Sequence, residues 1–359
     1  MQFSKDVNDA GTNGIFMRNE FGHFGDYLYI ILGHDCNLRC KYCFMPKDSM
    51  KLDIYKIHKL LDIIAKERPH LSIRFYGGEP ILYFDKIQNI ITYTKEIGLA
   101  SDFALPTNGT LLTEEIVDFI KAENISVMVS LDGNKETNDT MRVFSNRHGT
   151  YDFIEKKIRL LETKNINYQI AVTLDKHNIN NLFSDIEYIL NRFGVKPVNL
   201  NYPYDLKNRD IGQLTNIIMD LNRKLMEKYR LVTGEFYDNF IKPVFEGKTS
   251  LYCGGFEGQI VMHPNNHLSP CIALSDPPYA ISIEDVDSLK TLYLSSAFSD
   301  WRSRITKYTN GVCMNCSSLN ICGLGCPYTS VLSGHQDAPD ALMCNLTRRI
   351  MKEIGRRNG

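Results

Sequence analysis

Three cysteines stand close together near the start of the chain, and seven more follow after residue 250. The first three are Cys36, Cys40 and Cys43. The later seven are Cys253, Cys271, Cys313, Cys316, Cys322, Cys326 and Cys344. Thiolates bind soft metals and iron–sulfur clusters, and a chain without a secretory signal rarely uses so many cysteines for disulfides. The grouping therefore predicts metal chemistry at two places.

The first group has the spacing Cys-x3-Cys-x2-Cys, which puts three thiolates on one short loop. Three ligands cannot complete a [4Fe–4S] cluster, so one iron keeps an open position that can bind a small chelating molecule. Structural zinc is the alternative, but it prefers four protein ligands. His34 would then have to supply the fourth.

Overall charge and hydropathy exclude several classes of partner. The 359 residues contain 41 Lys+Arg and 42 Asp+Glu, a formal net charge of −1 that offers no field for nucleic acid. Met1–Gly25 has no apolar signal region, and no long apolar run suits a membrane span, so we predict a soluble, cytoplasmic protein. The basic stretch from Arg348 to Arg357 is interpreted as a solvated helix face and tail.

Short apolar runs alternate with helical patterns between residues 26 and 231, which predicts six βα units around a parallel sheet. The predicted strands are Tyr27–Leu32, Leu71–Tyr76, Phe103–Pro106, Ser126–Leu131, Asn167–Leu174 and Val198–Asn201. The predicted helices are Asp53–Glu67, Tyr83–Ile97, Thr113–Glu123, Tyr151–Thr163, Ile179–Arg192 and Ile211–Tyr229. Six units are too few for a closed eight-stranded barrel, so an open partial barrel or a doubly wound sheet is expected.

Four consecutive predicted strands end in polar or glycine-rich turns. These turns begin at Gly33, Gly77, Thr107 and Asp132. Active groups of parallel α/β folds gather at the carboxyl ends of the strands, so one shared site on this rim is expected. Leu251–Pro278 and Gly311–Pro339 have weak periodicity, and we expect bound metal to hold these loop-rich segments.

CxxxCxxC with Tyr42 before its last cysteine resembles the signature of the radical S-adenosylmethionine (SAM) superfamily. The resemblance implies a partial (β/α)6 TIM-like barrel whose open iron binds the amino and carboxylate groups of SAM. SAM is then cleaved to a 5′-deoxyadenosyl radical that abstracts hydrogen from the substrate. Tyr42 would lie near the adenine.

Other turns resemble further family motifs and supply the candidate SAM contacts. Gly77, Gly78, Glu79 and Pro80 resemble the turn that receives the SAM amino group, with Glu79 supplying charge, and Asn108 belongs to a similar third-strand turn. The stretch containing Ser130, Asp132 and Arg142 resembles the part that meets the SAM carboxylate, which suits an arginine fork. Asn138 replaces a histidine often found there and is assigned no role.

The seven later cysteines resemble the SPASM extension, which carries two auxiliary [4Fe–4S] clusters; zinc near Cys313–Cys326 is the rival interpretation. The resemblance implies an outer cluster on Cys313, Cys316, Cys322 and Cys344 and an inner one on Cys253, Cys271 and Cys326. No eleventh cysteine completes the inner set, so its iron is open or takes His263, His267 or Asp276. The domains expected are an N-terminal segment (1–25), the barrel (26–235) and the SPASM domain with a C-terminal helix (236–359).

This resemblance predicts an oxidoreductase that matures a peptide or protein by a cross-link, thioether or similar RiPP modification. A small-molecule substrate is the alternative, and a non-enzymatic electron carrier is a third hypothesis. Sulfatase maturases usually carry Asp after the hairpin cysteine as a base, where this chain has Ile272. If all ten cysteines bind iron, no thiol remains for an epimerase.

We also expect an external flavodoxin- or ferredoxin-type electron donor. The short N-terminal segment leaves leader-peptide capture to a separate protein or to the barrel itself.

Overall fold

The computed structural model describes residues 22–175, 177–194, 198–201, 211–228, 232–234, 236–248, 251–319 and 321–358. Most of the N-terminal segment expected at residues 1–25 therefore lies outside the described residues. Among those that are described, no helix is both long and apolar enough to cross a membrane.

Within the part of the chain that the structure describes, ten strands form one open sheet. They are β1 (Tyr27–Ile31), β2 (His70–Tyr76), β3 (Ala100–Thr107), β4 (Ser126–Ser130), β5 (Tyr168–Thr173), β6 (Val198–Asn201), β7 (Val232–Thr233), β8 (Ile260–Met262), β9 (His267–Ser269) and β10 (Ile281–Ser282). Their order is β10-β9-β8-β1-β2-β3-β4-β5-β6-β7, and neighbours from β1 to β7 are parallel. The predicted partial barrel is confirmed, because the two edge strands β7 and β10 leave the sheet unclosed.

Helices follow most of the strands along the chain. They are α1 (Ile54–Ala65), α2 (Phe84–Glu96), α3 (Glu114–Ala122), α4 (Lys135–Met141), α5 (Tyr151–Thr163), α6 (Leu182–Phe193), α7 (Ile211–Lys228), α8 (Lys242–Glu246), α9 (Gly254–Glu257), α10 (Leu289–Leu294), α11 (Ser296–Asn310), α12 (Pro327–Leu332) and α13 (Ala341–Asn358). Apolar side chains of alternate strand positions pack under these helices as one core.

Local sequence explains most helix starts and the departures from prediction. The Thr113 hydroxyl accepts a hydrogen bond from the Ile116 backbone N–H, which caps α3 as expected. The helix predicted from Tyr83 begins instead at Phe84, because a 3₁₀ turn at Pro80–Tyr83 precedes it. Helix α4 was not predicted, and Asn134 caps it through the Thr137 N–H.

The sheet runs across the domain boundary expected near residue 235. Strand β8 pairs in parallel with β1, and β9, which precedes Cys271, pairs with β8. Leu251–Pro278 was expected to be loop-rich but contains α9, β8 and β9, because its apolar residues complete the barrel edge. The boundary itself stays a prediction.

Candidate active site and cysteine clusters

The first cysteine loop leaves β1 at the carboxyl edge of the sheet and is clamped by the turn after β2. The Gly78 N–H donates to the Gly33 carbonyl at 3.0 Å, and the Glu79 N–H donates to the Asp35 carbonyl at 2.9 Å. A Cβ on Gly78 would lie 2.2 Å from the Asp35 carbonyl oxygen. The glycines were expected to permit a close backbone approach, and the structure shows this approach against the cysteine loop itself.

Gly78→Ala is therefore expected to displace the cysteine loop. The obstructing atoms are backbone, so the added methyl group cannot be accommodated by a side-chain rotation. We expect 5′-deoxyadenosine formation from SAM to fall about a hundredfold, as when reacting groups are misplaced by about 1 Å. Anaerobic assays with Gly355→Ala as the control, whose Cβ meets open space, measure the effect. An unchanged rate in Gly78→Ala would contradict the proposed clamp.

The three thiols of this loop lie near one another in a partly buried place. Burial raises the pKa of Cys40 to about 11, and Cys36 and Cys43 are close enough to add to that shift. The Lys47 ammonium lies 3.0 Å from Cys43 Sγ. Burial opposes charge on an empty thiol, whereas a bound cluster takes thiolates and neutralises them, so the donor set fits a three-cysteine cluster.

His34, the fourth ligand that zinc would need, is engaged elsewhere. Its Nδ1 pairs with the Asp48 carboxylate at 2.7 Å, beyond the cysteine loop. Across the described part of the chain, no group of three or more His, Cys, Asp or Glu side chains is arranged to hold a single metal ion.

Glu79 was expected to present charge to SAM, and the structure shows a different arrangement. Its carboxylate is 1% exposed and accepts hydrogen bonds from the Thr107 hydroxyl at 2.6 Å and the Asn108 N–H at 2.8 Å. It also accepts the Ile81 N–H, and burial raises its pKa despite these donors. Glu79 therefore ties the turn after β2 to the end of β3, and its oxygens do not face an open site.

Asn108 joins the end of β3 to the cysteine loop. Its side-chain amide donates to the Asn37 side-chain oxygen at 2.9 Å and lies 3.9 Å from Cys36 Sγ. Asn37 in turn donates to the Thr110 hydroxyl at 2.8 Å. The predicted contact of Asn108 with the cofactor stays a prediction, while its contact with the cysteine loop is direct.

Arg142, predicted to form a fork on the SAM carboxylate, is paired with Asp132. Arg142 Nε lies 2.9 Å from Asp132 Oδ2, and Nη2 lies 3.1 Å from Oδ1. The Tyr42 hydroxyl and the Thr173 N–H also donate to this carboxylate, at 2.6 Å and 3.0 Å. Burial acts to lower the pKa of Arg142, but the adjacent Asp132 charge leaves it raised. Two nitrogens of the guanidinium are thus paired within the protein, and the predicted contact of Arg142 with the SAM carboxylate stays a prediction.

The Asp132–Arg142 pair is attached to the cysteine loop on two sides. The Lys41 N–H donates to the Met141 carbonyl, and the Arg39 N–H donates to the Val143 carbonyl, so Arg142 lies between two backbone hydrogen bonds to this loop. Asn138, assigned no role from sequence, is fully buried and its side-chain oxygen lies 3.4 Å from the Asp132 N–H.

The remaining predicted contacts lie on the same rim with different exposure. Ser130 ends β4 with a partly exposed side chain, and Tyr42 is held over the site by its bond to Asp132. Gly77 adopts the left-handed region at φ +145°, while Pro80 is buried at the start of the 3₁₀ turn. Ser130, Gly77 and Gly78 are partly exposed, and the predicted SAM contacts all stay predictions.

The later cysteines separate into two groups in space. Four of them line one small cavity together with Arg348: Cys313, Cys316, Cys322 and Cys344. In the second group burial raises the pKa of Cys326 well above its ordinary value, and Cys253 and Cys271 are near enough to raise it further. These are the two sets expected from the resemblance, and four and three thiols fit the donor sets of two iron–sulfur clusters.

None of the three side chains considered as a further ligand for the inner group is free. His263 Nε2 lies 2.8 Å from the Ser269 hydroxyl, and burial lowers its pKa to about 4. His267 Nδ1 contacts the Ser275 carbonyl at 3.0 Å. The Asp276 carboxylate accepts the Ser275 hydroxyl at 2.9 Å. The two predicted alternatives for the inner group, an open iron or one of these three side chains as a ligand, both stay predictions.

Ile272 connects the inner cysteine group to the first cysteine loop, a link that sequence reasoning missed. It packs against a small apolar cluster centred on Ile31, Met45 and Val261, which Cys43 also contacts. Ile272 directly follows the hairpin cysteine in the sequence. Its contact with the cluster near the first loop could be recognised only once the pairing of β8 with β1 was known.

The inner face of the open sheet is polar and partly exposed. Strand positions that alternate with the buried core residues point to this face. They include Arg74, Tyr76, Gln169, Thr173, Asn199 and Asn201. Arg74 donates to the Tyr29 hydroxyl at 2.9 Å and lies over its ring. This inner face, called the lumen below, offers hydrogen-bonding groups beside the cysteine loop, which suits a polar substrate.

Residues 30–189 match the family described as the Radical SAM superfamily, which confirms the predicted resemblance. That family implies a [4Fe–4S] cluster and SAM. The chain is 24% identical to a cysteine-type anaerobic sulfatase-maturating enzyme of Clostridium novyi (strain NT), covering 81% of this chain and 85% of that protein.

Two solved structures share the fold over most of the chain. Native anSMEcpe with bound AdoMet and a peptide is similar with a TM-score of 0.75 at 18% identity, covering 92% of this chain and 97% of that one. SuiB of Streptococcus suis bound to precursor peptide SuiA is similar with a TM-score of 0.66 at 17% identity, covering 89% and 76%.

Proposed function

We propose that the chain oxidatively modifies a peptide or protein, forming a cross-link, a thioether or a similar bond. When bound, SAM and its cluster would supply a 5′-deoxyadenosyl radical, and auxiliary clusters would supply an acceptor for the electron left on the substrate. The observation that carries this proposal is the separation of the seven later cysteines into a group of four and a group of three.

The residues of the rim prepare the site in this proposal. The clamp of Gly78 on the cysteine loop and the Asp132–Arg142 pair hold the three thiols in place. Ser130 and the turn after β2 would meet the ends of SAM, with Tyr42 positioned near its adenine by Asp132. Preorganised groups of this kind spare the reaction the cost of ordering them.

The arrangement of the inner cysteine group supports oxidation beside the radical site. Ile272 and Cys43 pack against the same apolar cluster, and Cys271 directly precedes Ile272 in the chain. An apolar cluster beside the cysteine loop excludes water and lowers the dielectric constant around the reacting groups. A substrate in the lumen would thus lie between the first cysteine loop and the inner group.

A peptide substrate is supported by the lumen and by the relatives. The polar side chains of β2, β5 and β6 can hydrogen-bond an extended backbone, and Arg74 can receive a carboxylate. The solved structures similar to this chain include enzymes with a bound peptide and with a precursor peptide. An external electron donor, and a separate protein that captures a leader peptide, remain proposed partners.

Mass spectrometry of candidate peptides tests this function. The enzyme is reconstituted anaerobically with iron and sulfide, then given SAM, dithionite and peptides encoded near its gene. We expect a peptide product lighter by a pair of hydrogen atoms. If every peptide stays unchanged while a small molecule is oxidised, the alternative of a small-molecule oxidoreductase replaces this proposal. An unchanged mass with altered chirality would indicate epimerisation.

A sulfatase-derived peptide is expected to remain unmodified. Sulfatase maturases usually place a carboxylate base after the hairpin cysteine, whereas Ile272 packs here in an apolar cluster with Ile31 and Val261. No base is therefore available at that place to take a proton. Incubation of the reconstituted enzyme with Cys- and Ser-type sulfatase peptides, read by mass spectrometry, checks this. Efficient conversion of either peptide would contradict the exclusion.

A further inference from the structure

Arg348 of helix α13 faces the four-cysteine cavity. It lies four residues after Cys344, so the two side chains share one face of the helix. Its Nη2 atom lies 3.8 Å from Cys316 Sγ, and the side chain lines the cavity formed by Cys313, Cys316, Cys322 and Cys344. The basic stretch starting at Arg348 was interpreted as a solvated helix face; Arg348 is exposed, as expected, but it also contacts the four-cysteine cavity.

Two other charged side chains near the four thiols, Asp340 and Lys352, do not line the four-cysteine cavity. Asp340 approaches Cys344, but its carboxylate accepts the Thr329 hydroxyl and the Met343 N–H. Lys352 lines a wider, open cavity that also includes Cys316 and Arg348. Among the described residues that line the four-cysteine cavity, Arg348 carries the positive charge.

The cysteine thiols and the Arg348 guanidinium shift each other's pKa, as expected for groups that lie close together. Burial raises the pKa of Cys313 to about 11, and Arg348 opposes that rise. The contacts with Cys316 and Cys344 raise the pKa of Arg348 in turn. An arginine stays charged throughout, so its charge acts on whatever the four thiols bind.

We propose that Arg348 is a positioning residue whose charge raises the reduction potential of a cluster bound by the four cysteines. This rests on the proposed auxiliary cluster. One-electron reduction adds a negative charge to the cluster, and a nearby cation stabilises the reduced form. The guanidinium also reaches the open cavity, so the charge lies between the four thiols and solvent.

A redox titration of the reconstituted holoenzyme tests the proposal. The electron paramagnetic resonance signal of this cluster is assigned as the one lost in Cys313→Ala/Cys316→Ala. Dithionite titrations are then compared for the unaltered chain, Arg348→Gln, Arg348→Lys and Arg349→Gln. Arg349 is the matched control, because it is exposed on the same helix but lines neither cavity.

We expect Arg348→Gln to lower the reduced-to-oxidised ratio at a fixed potential about tenfold, which is about 59 mV for a one-electron couple. Arg348→Lys should restore at least half of the shift, and higher ionic strength should shrink it because the side chain is exposed. Iron content equal to that of the unaltered chain shows that the variant is assembled.

Two results would overturn the inference. Arg348→Gln could shift the potential no more than Arg349→Gln does, or the unaltered chain could give no signal that depends on Cys316. The second result would also contradict the auxiliary cluster. An intact Arg348 shift in an enzyme that leaves every peptide unmodified would instead contradict the substrate proposal alone.

Discussion

The Cys313→Ala/Cys316→Ala variant is expected to retain about eight iron atoms per chain, where the unaltered chain retains about twelve. The four cysteines of the outer group line one cavity, and the other two groups do not share its thiols. Removing two of the four should therefore empty one site and leave the others loaded. 5′-Deoxyadenosine formation from SAM should persist, because the first cysteine loop is untouched.

Cys36→Ala/Cys40→Ala is the matched control for this prediction. It should also reduce the iron content to about eight, but it should abolish 5′-deoxyadenosine formation, because it removes thiols of the first loop. Iron and acid-labile sulfide are measured after anaerobic reconstitution. About four irons in the unaltered chain, or stoichiometric zinc, would contradict the auxiliary-cluster proposal.

Arg142→Met is expected to cost about 3–5 kcal/mol of the free energy of unfolding, because it leaves a buried carboxylate without its countercharge. Asp132 is fully buried, and both of its oxygens contact the Arg142 guanidinium. The same change should slow 5′-deoxyadenosine formation, since Asp132, the hydrogen-bond partner of Tyr42, loses the guanidinium that holds it in place. Urea unfolding of the apoprotein with reduced thiols gives the first quantity.

Lys164→Met provides the control, because it breaks an exposed ion pair with Asp118. Such surface pairs contribute about 0–1 kcal/mol, so this variant should unfold near the unaltered chain. Equal losses in the free energy of unfolding would contradict the prediction that the buried Asp132–Arg142 pair contributes more than an exposed ion pair.

The βα pattern and the turns after β1 to β4 were predictable because strand periodicity and glycine-rich turns are local properties of the sequence. The sheet order from β1 to β6 follows from consecutive βα units. The pairing of β8 with β1 was not predictable in this way, since more than 200 residues separate the two strands. Short strands such as β8 also leave little periodicity to read.

Side-chain partners were harder to predict than the location of the site. Glu79 and Arg142 were assigned to the site because their charges suit the two ends of SAM, and both do lie at the rim. Which charge pairs with which depends on contacts between strands: Glu79 is bound by Thr107, and Arg142 by Asp132. Sequence spacing reports proximity to the site but not the direction in which a side chain points.

A parallel count of 5′-deoxyadenosine and oxidised peptide in one anaerobic reaction tests most directly whether the radical acts on a peptide. If the radical formed at the first cysteine loop is used on a peptide, about one 5′-deoxyadenosine should accompany each peptide that loses a pair of hydrogen atoms. The ratio should hold over the time course, and both products should vanish in Cys36→Ala/Cys40→Ala. Peptide oxidation that continues in that variant, or 5′-deoxyadenosine that accumulates while every candidate peptide stays unchanged, would contradict the account.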